Sequence, residues 1–398
     1  MSTTRRSFLA AAAVVPFAAP FIKGATDKAG TKLPVVGEGE HTYECIHDWG
    51  VLPSNIKYGN THSVVEDSHG NIYIHHTVHA TSQSPDAVVV FDPKGKFVRS
   101  FGAMFKGGAH GMHISKEGST EYLYFCDEKH GLITKRTLKG EEVWTLGYPQ
   151  DSPPYTKGIV PGKPTGLGLN YRPTNIALAA NGDFWVGDGY GSYYMFHYQQ
   201  KGSYPTLLNT FGGRPAPVPG AEGAGRGAGR GPGAGVAAAA APAGGAPPAA
   251  PRGPVPAPIE TMNNPHGVWL DTRDAAKPVL LVADRGNRRI VRYTTDDKPM
   301  DIVEGTLAPC HFHQQKDMLV VPDLQSRVTL FDKDNKVIVH LGDGNYAGKQ
   351  NQLRVSENRA DFEPGKFICP HGATFDHAGN IFVAEWVEIG RVTKLRKV

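Results

Sequence analysis

The chain has 398 residues, 20% of them charged, and a formal net charge of +4. Part of that excess is local, four arginines against one glutamate between residues 214 and 258, so charge gives no reason to invoke nucleic acid. The length suits one large core or two domains.

The first element in chain order is an address. Ser2-Thr3-Thr4-Arg5-Arg6-Ser7-Phe8-Leu9 reads as a twin-arginine signal, and an Ala-rich apolar stretch follows it to Ile22. Pro16 and Pro20 interrupt that stretch, and it is short for a bilayer span. Residues 1–25 therefore predict an export signal, with the twin-arginine machinery as a partner, a periplasmic destination and no stable membrane insertion.

From residue 41 to 398 one pattern recurs six times. A short strand opens at His62, His110, Asn175, His266, His311 or His371. A Gly or Asp turn leads to a second strand that ends at His76, Asp127, Asp188, Asp284, Asp323 or Glu385. A third strand such as Val88-Val89-Val90-Phe91 follows, then an outer strand closing on an apolar-Gly pair such as Phe101-Gly102 or Leu341-Gly342. The last repeat lacks its outer strand, and His41-Thr42-Tyr43-Glu44-Cys45-Ile46 at the other end of the repeats can supply it, which removes the exposed edge. The prediction is an all-β, six-bladed β-propeller with its ring closed by an N-terminal strand.

Two segments break the spacing. Residues 148–171 form a Pro/Gly-rich connection between the second and third blades. Residues 214–258 are almost entirely Gly, Ala, Pro and Arg, a composition that cannot bury a core and predicts a disordered insertion within the propeller.

In an up-and-down blade the start of the first strand and the end of the second share a rim, so the histidines face the residues just after the acids. Tyr190 (Asp188-Gly189-Tyr190) and Arg285 (Asp284-Arg285-Gly286) are the candidates there. The acids themselves read as turn caps. His110, His266 and His371 come from alternate blades, which gives three-fold geometry, and three imidazoles with an exchangeable fourth position suit catalytic zinc. His62, Asn175 and His311 form a rival set with only two imidazoles, and His313 is a further candidate. The bland alternatives are turn histidines bonded to backbone, a rim tyrosine, and an arginine paired with a nearby acid. Cys45, Cys126, Cys310 and Cys369 fit no close-spaced zinc pattern. They read first as unpaired core residues, with a Cys310–Cys369 disulfide or a shared position in the histidine pocket as the alternatives.

These repeats resemble six-bladed propellers of the NHL-repeat class, and most closely the peptidyl-α-hydroxyglycine α-amidating lyases (peptidylamidoglycolate lyases). Besides the three histidines, Pro173-Thr174-Asn175 leading to Gly187-Asp188-Gly189-Tyr190 matches the stretch that carries that family's tyrosine base, and Val282-Ala283-Asp284-Arg285 matches its arginine. The resemblance implies a zinc ion, or another divalent metal, on His110, His266 and His371. Tyr190 and Arg285 become the catalytic pair, and the reaction is cleavage of an α-hydroxylated small-molecule or peptide amide to an amide plus glyoxylate or a related aldehyde. Departures accompany it. No Lys or Arg lies between Lys57 and Lys94, where the family has a second arginine, and Cys369 stands where it has a methionine. Gly372 replaces an acid that helps hold calcium there, so calcium is not supported. Another metal-dependent propeller hydrolase or lyase, and a non-catalytic ligand-binding propeller, stay open beside this expectation.

Overall fold

The computed structural model describes residues 25–26, 32–156, 171–214, 257–344 and 346–398. The twin-arginine stretch and all of the Gly/Ala/Pro/Arg insertion except Arg214, Ala257 and Pro258 lie outside the described residues.

Six antiparallel sheets form the six blades of a propeller, and in each the chain runs from the inner strand outward. The first blade shows the order: Thr61–Glu66, Ile72–His76, Val88–Phe91 and Phe97–Phe101. The other inner strands are Ala109–Glu117, Asn175–Leu178, Pro265–Asp271, His313–Gln315 and Pro370–Phe375. In the sixth blade the last strand, Arg391–Lys397, pairs with His41–Ile46, so the two ends of the repeats meet in one sheet as expected. A fifth strand, Val35–Glu38, pairs outside it and lies upstream of the expected boundary at residue 41. Among the described residues the longest helix is Gln350–Arg354, and no helix is long and apolar enough to cross a membrane.

Alternation along the strands sends apolar side chains to both faces of every blade, so the core is divided into wedges between neighbours. Trp49, Val64, Phe91, Phe382 and Val392 fill the wedge between the sixth and first blades. Val88, Phe105, Met112 and Phe125 fill the next. The acids at the ends of the second strands are fully buried and structural, in line with the turn-cap reading. Asp188, Asp284, Asp323 and Glu385 accept the backbone N–H of Arg172, Asn263, Ala308 and Ile368 at 2.8, 2.7, 2.9 and 2.8 Å. Each of these donors stands three residues before a blade's opening position. In four of the six blades one acid thus fixes the loop that delivers the opening residue to the axis.

Candidate metal centre

Four of the histidines sit at irregularities of their inner strands. In the first, second, fourth and sixth blades the inner strand carries one extra residue at the histidine, between Thr61 and Ser63, Ala109 and Met112, Pro265 and Val268, and Pro370 and Gly372. Such a bulge re-aims a side chain out of the ladder, and here the rings turn toward the axis. The ring centroids of His110, His266 and His371 form a near-equilateral triangle, 4.7 Å for His110–His266, 4.7 Å for His266–His371 and 4.9 Å for His110–His371.

These three share a His-Gly pair that the other axial histidines lack. Each uses Nδ1 on a carbonyl of the following blade: His110 on Thr174 at 2.5 Å, His266 on Cys310 at 2.8 Å, His371 on His62 at 2.9 Å. The glycine after each histidine makes room for that same carbonyl. A Cβ at Gly111, Gly267 or Gly372 would lie 2.6, 2.7 or 2.5 Å from the Thr174, Cys310 or His62 oxygen. His-Gly is therefore a packing unit: histidine donates to the carbonyl, and glycine lets the carbonyl approach. The backbone-bonded alternative is correct for one ring nitrogen and leaves the other free.

A carbonyl only accepts, so Nδ1 carries the proton and Nε2 presents a lone pair inward. Burial holds all three imidazoles well below the ordinary histidine range, hence neutral. The Tyr190 hydroxyl reaches His110 Nε2 at 3.2 Å and His266 Nε2 at 3.0 Å, and His371 Nε2 has no partner. One phenolic proton can serve only one of three buried lone pairs, so at least two are left without a donor.

That is the condition a cation relieves. An imidazole nitrogen about 2.0–2.1 Å from zinc places its ring centroid roughly 3 Å from the ion, and a tetrahedral arrangement then spaces centroids about 5 Å apart. The triangle fits. Among the described residues, the donor atoms that come within 4.8 Å of one another fall in two overlapping sets that divide the trio, His62 with His110 and His371, and His266 with Cys310 and His371. The buried group could thus hold a metal ion, and it contains two more donors, His62 and Cys310, than the sequence-derived trio. All four cysteines are free and buried; Cys310 takes the pocket position, not a bridge to Cys369.

Tyr190 and Arg285 come to the same place and are only partly buried, unlike the histidines. Arg285 donates through Nη2 to the Tyr190 hydroxyl at 3.0 Å and through Nη1 to Cys310 Sγ at 3.6 Å. Among the described residues no acid pairs with it, contrary to the bland alternative. Burial raises the Tyr190 phenol above its ordinary value, and Arg285 only partly offsets this. Sequence reasoning missed Arg172, whose guanidinium lies 5.0 Å from the Tyr190 ring centroid and is held by Glu128. Its position directly before Pro173 was the available signal. His311 bonds the Ala373 carbonyl through Nδ1 at 3.2 Å. His313 lies away from the trio, in a cavity lined by His113, Trp269 and Gln315 at the far ends of the inner strands.

No protein-family model matches the chain, and no curated protein matches it either. Solved structures do. A streptogramin B lyase superposes with a TM-score of 0.51 at 12% identity, over 90% of this chain and 99% of that one. A gluconolactonase from Xanthomonas campestris superposes with a TM-score of 0.52 at 11% identity, over 91% and 94%. At such identity the likeness concerns the propeller fold.

Proposed function

We propose that the chain is a zinc-dependent carbon–nitrogen lyase that cleaves an α-hydroxylated amide to an amide plus glyoxylate or a related aldehyde. It would be exported to the periplasm on the strength of its Arg5-Arg6 signal. The observation that carries the reading is a cluster of three buried Nε2 lone pairs, two of them shared by one tyrosine hydroxyl with a single proton to give and the third, on His371, without a partner. His110, His266 and His371 would hold the metal, which when bound supplies Lewis acidity toward a substrate hydroxyl.

The rest belongs to this chain's own side chains. Tyr190 stands at the partly exposed mouth of the buried triad, where a substrate hydroxyl would meet it; once Arg285 and a bound cation together offset burial and hold it as the phenolate, it would take that hydroxyl's proton. The electron pair left on oxygen forms the carbonyl, the C–N bond breaks, and the departing amide nitrogen takes up the proton that Tyr190 had accepted, which returns the phenolate. Arg285 fixes the phenol oxygen through Nη2 and keeps a positive charge beside it. It is also the group able to meet a substrate carboxylate, since Arg172 is already engaged by Glu128. The bulges and carbonyls hold the imidazoles before substrate arrives, which is the preorganisation such a site requires.

The test is release of glyoxylate from a simple N-acyl α-hydroxyglycine by zinc-loaded protein, with chelator-treated protein as control. Metal-dependent release supports the reading. Absence of release from fully loaded protein overturns the amide substrate and directs the search to hydrolase or lyase substrates without that carboxylate.

A further inference from the structure

Two overlapping donor sets share His371, and only one of them contains sulfur. Cys310 Sγ lies with His266 and His371 donor atoms inside a 4.8 Å group, fully buried, and His371 Nε2 is a buried nitrogen with no partner in the same space. The remaining contacts of the sulfur are weak ones: Ala308 O at 3.4 Å, to which the thiol can donate, and Arg285 Nη1 at 3.6 Å, which donates to the sulfur. Burial pushes the Cys310 thiol up, and the guanidinium N–H directed at the sulfur only partly offsets this, so it is a bound cation that would take the proton off. The Cys310 carbonyl is at the same time the oxygen that orients His266. One residue therefore both aims a ligand and offers its own side chain beside it.

We infer that Cys310 is a donor to this centre, so that its thiolate, with the His266 and His371 imidazoles gathered around it, presents a sulfur and two nitrogens to a borderline-soft divalent ion. The inference rests on the metal-binding part of the proposed function and not on the lyase reaction. Binding exchanges the S–H bond for a sulfur–metal bond, and the proton leaves to solvent. Such a set selects zinc or cobalt over magnesium, manganese or calcium, which prefer oxygen donors. Arg285, bonded to both Cys310 and Tyr190, links the thiolate to the proposed proton acceptor.

The experiment is cobalt(II) titration of the metal-free full chain, read by visible d–d bands and by the near-ultraviolet thiolate-to-cobalt charge-transfer band. The wild type should show both. Cys310→Ser should keep one cobalt per chain and the visible bands while losing the charge-transfer band, and Cys369→Ser should keep everything. Cobalt bound without a charge-transfer band in the wild type, or a band that survives in Cys310→Ser, overturns the thiolate ligand and leaves the histidine triad standing. No cobalt bound by the wild type overturns the metal centre itself and this inference with it. Should Cys310→Ser not fold, Cys310→Ala and the wild-type and Cys369→Ser spectra decide the matter.

Discussion

His110 donates its Nδ1 proton to the Thr174 carbonyl across the gap between the second and third blades, 2.5 Å away. The same oxygen would stand 2.6 Å from a Cβ on Gly111, closer than any ordinary contact. Gly111→Ala must therefore push the carbonyl back and loosen the ring it orients. Changes to such supporting contacts cost about 10- to 100-fold in metal affinity, and that is the loss expected here by competition against a chromophoric chelator. Gly147→Ala, where a Cβ meets nothing within 4 Å, is the matched control and should leave affinity alone. Equal affinities for the two variants would remove the packing role assigned to His-Gly.

The glycine that admits the carbonyl separates His110, His266 and His371 from His311, which also reaches a carbonyl of the next blade but is followed by Phe312. Replacing any one of the three by alanine should abolish tight zinc binding, read as metal per chain after gel filtration. His313→Ala should retain full stoichiometry, because its ring serves a different cavity. If all three triad variants still carry one equivalent, the ligand set is wrong.

Tyr190→Phe isolates the phenolic oxygen. The ring, its position against His110 and His266 and the neighbouring arginines persist, so metal content should match the wild type. Turnover should fall by about 10²- to 10⁴-fold, the usual worth of a positioned proton acceptor. A variant with full activity would rule Tyr190 out of the proton transfer.

The blades were legible in the sequence because two chemical markers recur in the same order, a histidine or asparagine at each opening and, in all blades but the first, an acid at the end of the second strand. The acids do hold the incoming loops. Val35–Glu38 was not legible: Val35-Val36 after Pro34 is too short an apolar run to announce a strand, and only the edge already built by His41–Ile46 gives it a partner. The bulges were hidden as well, since one extra residue in a ladder leaves no mark in composition. Cys310 shows the cost. In the fifth blade the regular inner strand begins only at His313, so simple alternation from His311 cannot say which way Cys310 points. The structure places its sulfur with His266 and His371. Pairing of Tyr190 with Arg285 came from the resemblance, whereas Arg172 and its Glu128 partner required the third dimension.

Removal of the low-complexity insertion is expected to have little consequence. Gly213 and Met262 are joined by a backbone hydrogen bond of 2.9 Å, so the chain leaves and re-enters at nearly one point. The outermost residues belong to the propeller: the Ala257 and Pro258 carbonyls accept from Arg289, and Arg214 packs on the Tyr193 ring at 3.9 Å. Replacing residues 215–256 by a short Gly/Ser linker should preserve soluble expression, the thermal midpoint and metal stoichiometry. Insoluble protein would assign the segment a structural role that its composition does not suggest.

Away from the triad, three histidines make the fold sensitive to acid in a defined direction. Each accepts a backbone N–H through a ring nitrogen: His47 from Gly365 at 2.9 Å, His76 from Val78 at 3.1 Å, His313 from Phe375 at 3.1 Å. Protonation turns that acceptor into a donor facing another donor. Burial, reinforced by Arg391, lowers His47 to about 4; burial, reinforced by His62, lowers His76 to about 3; burial, reinforced by His311, lowers His313 to about 3. Once unfolded, all three take a proton near the ordinary value of about 6.5. Below that pH the unfolded chain binds more protons than the native one, so stability rises with pH. Their contribution is complete above about pH 6.5 and is lost progressively as the pH falls toward 4 and then 3, at up to about 1.4 kcal/mol per pH unit for each histidine. Urea midpoints of the metal-free protein should thus begin to fall below about pH 6.5, well above the range in which carboxylates titrate. A midpoint that stays level down to about pH 4.5 would mean that these rings are already charged or solvated in the native state, and the buried acceptor roles would have to be abandoned.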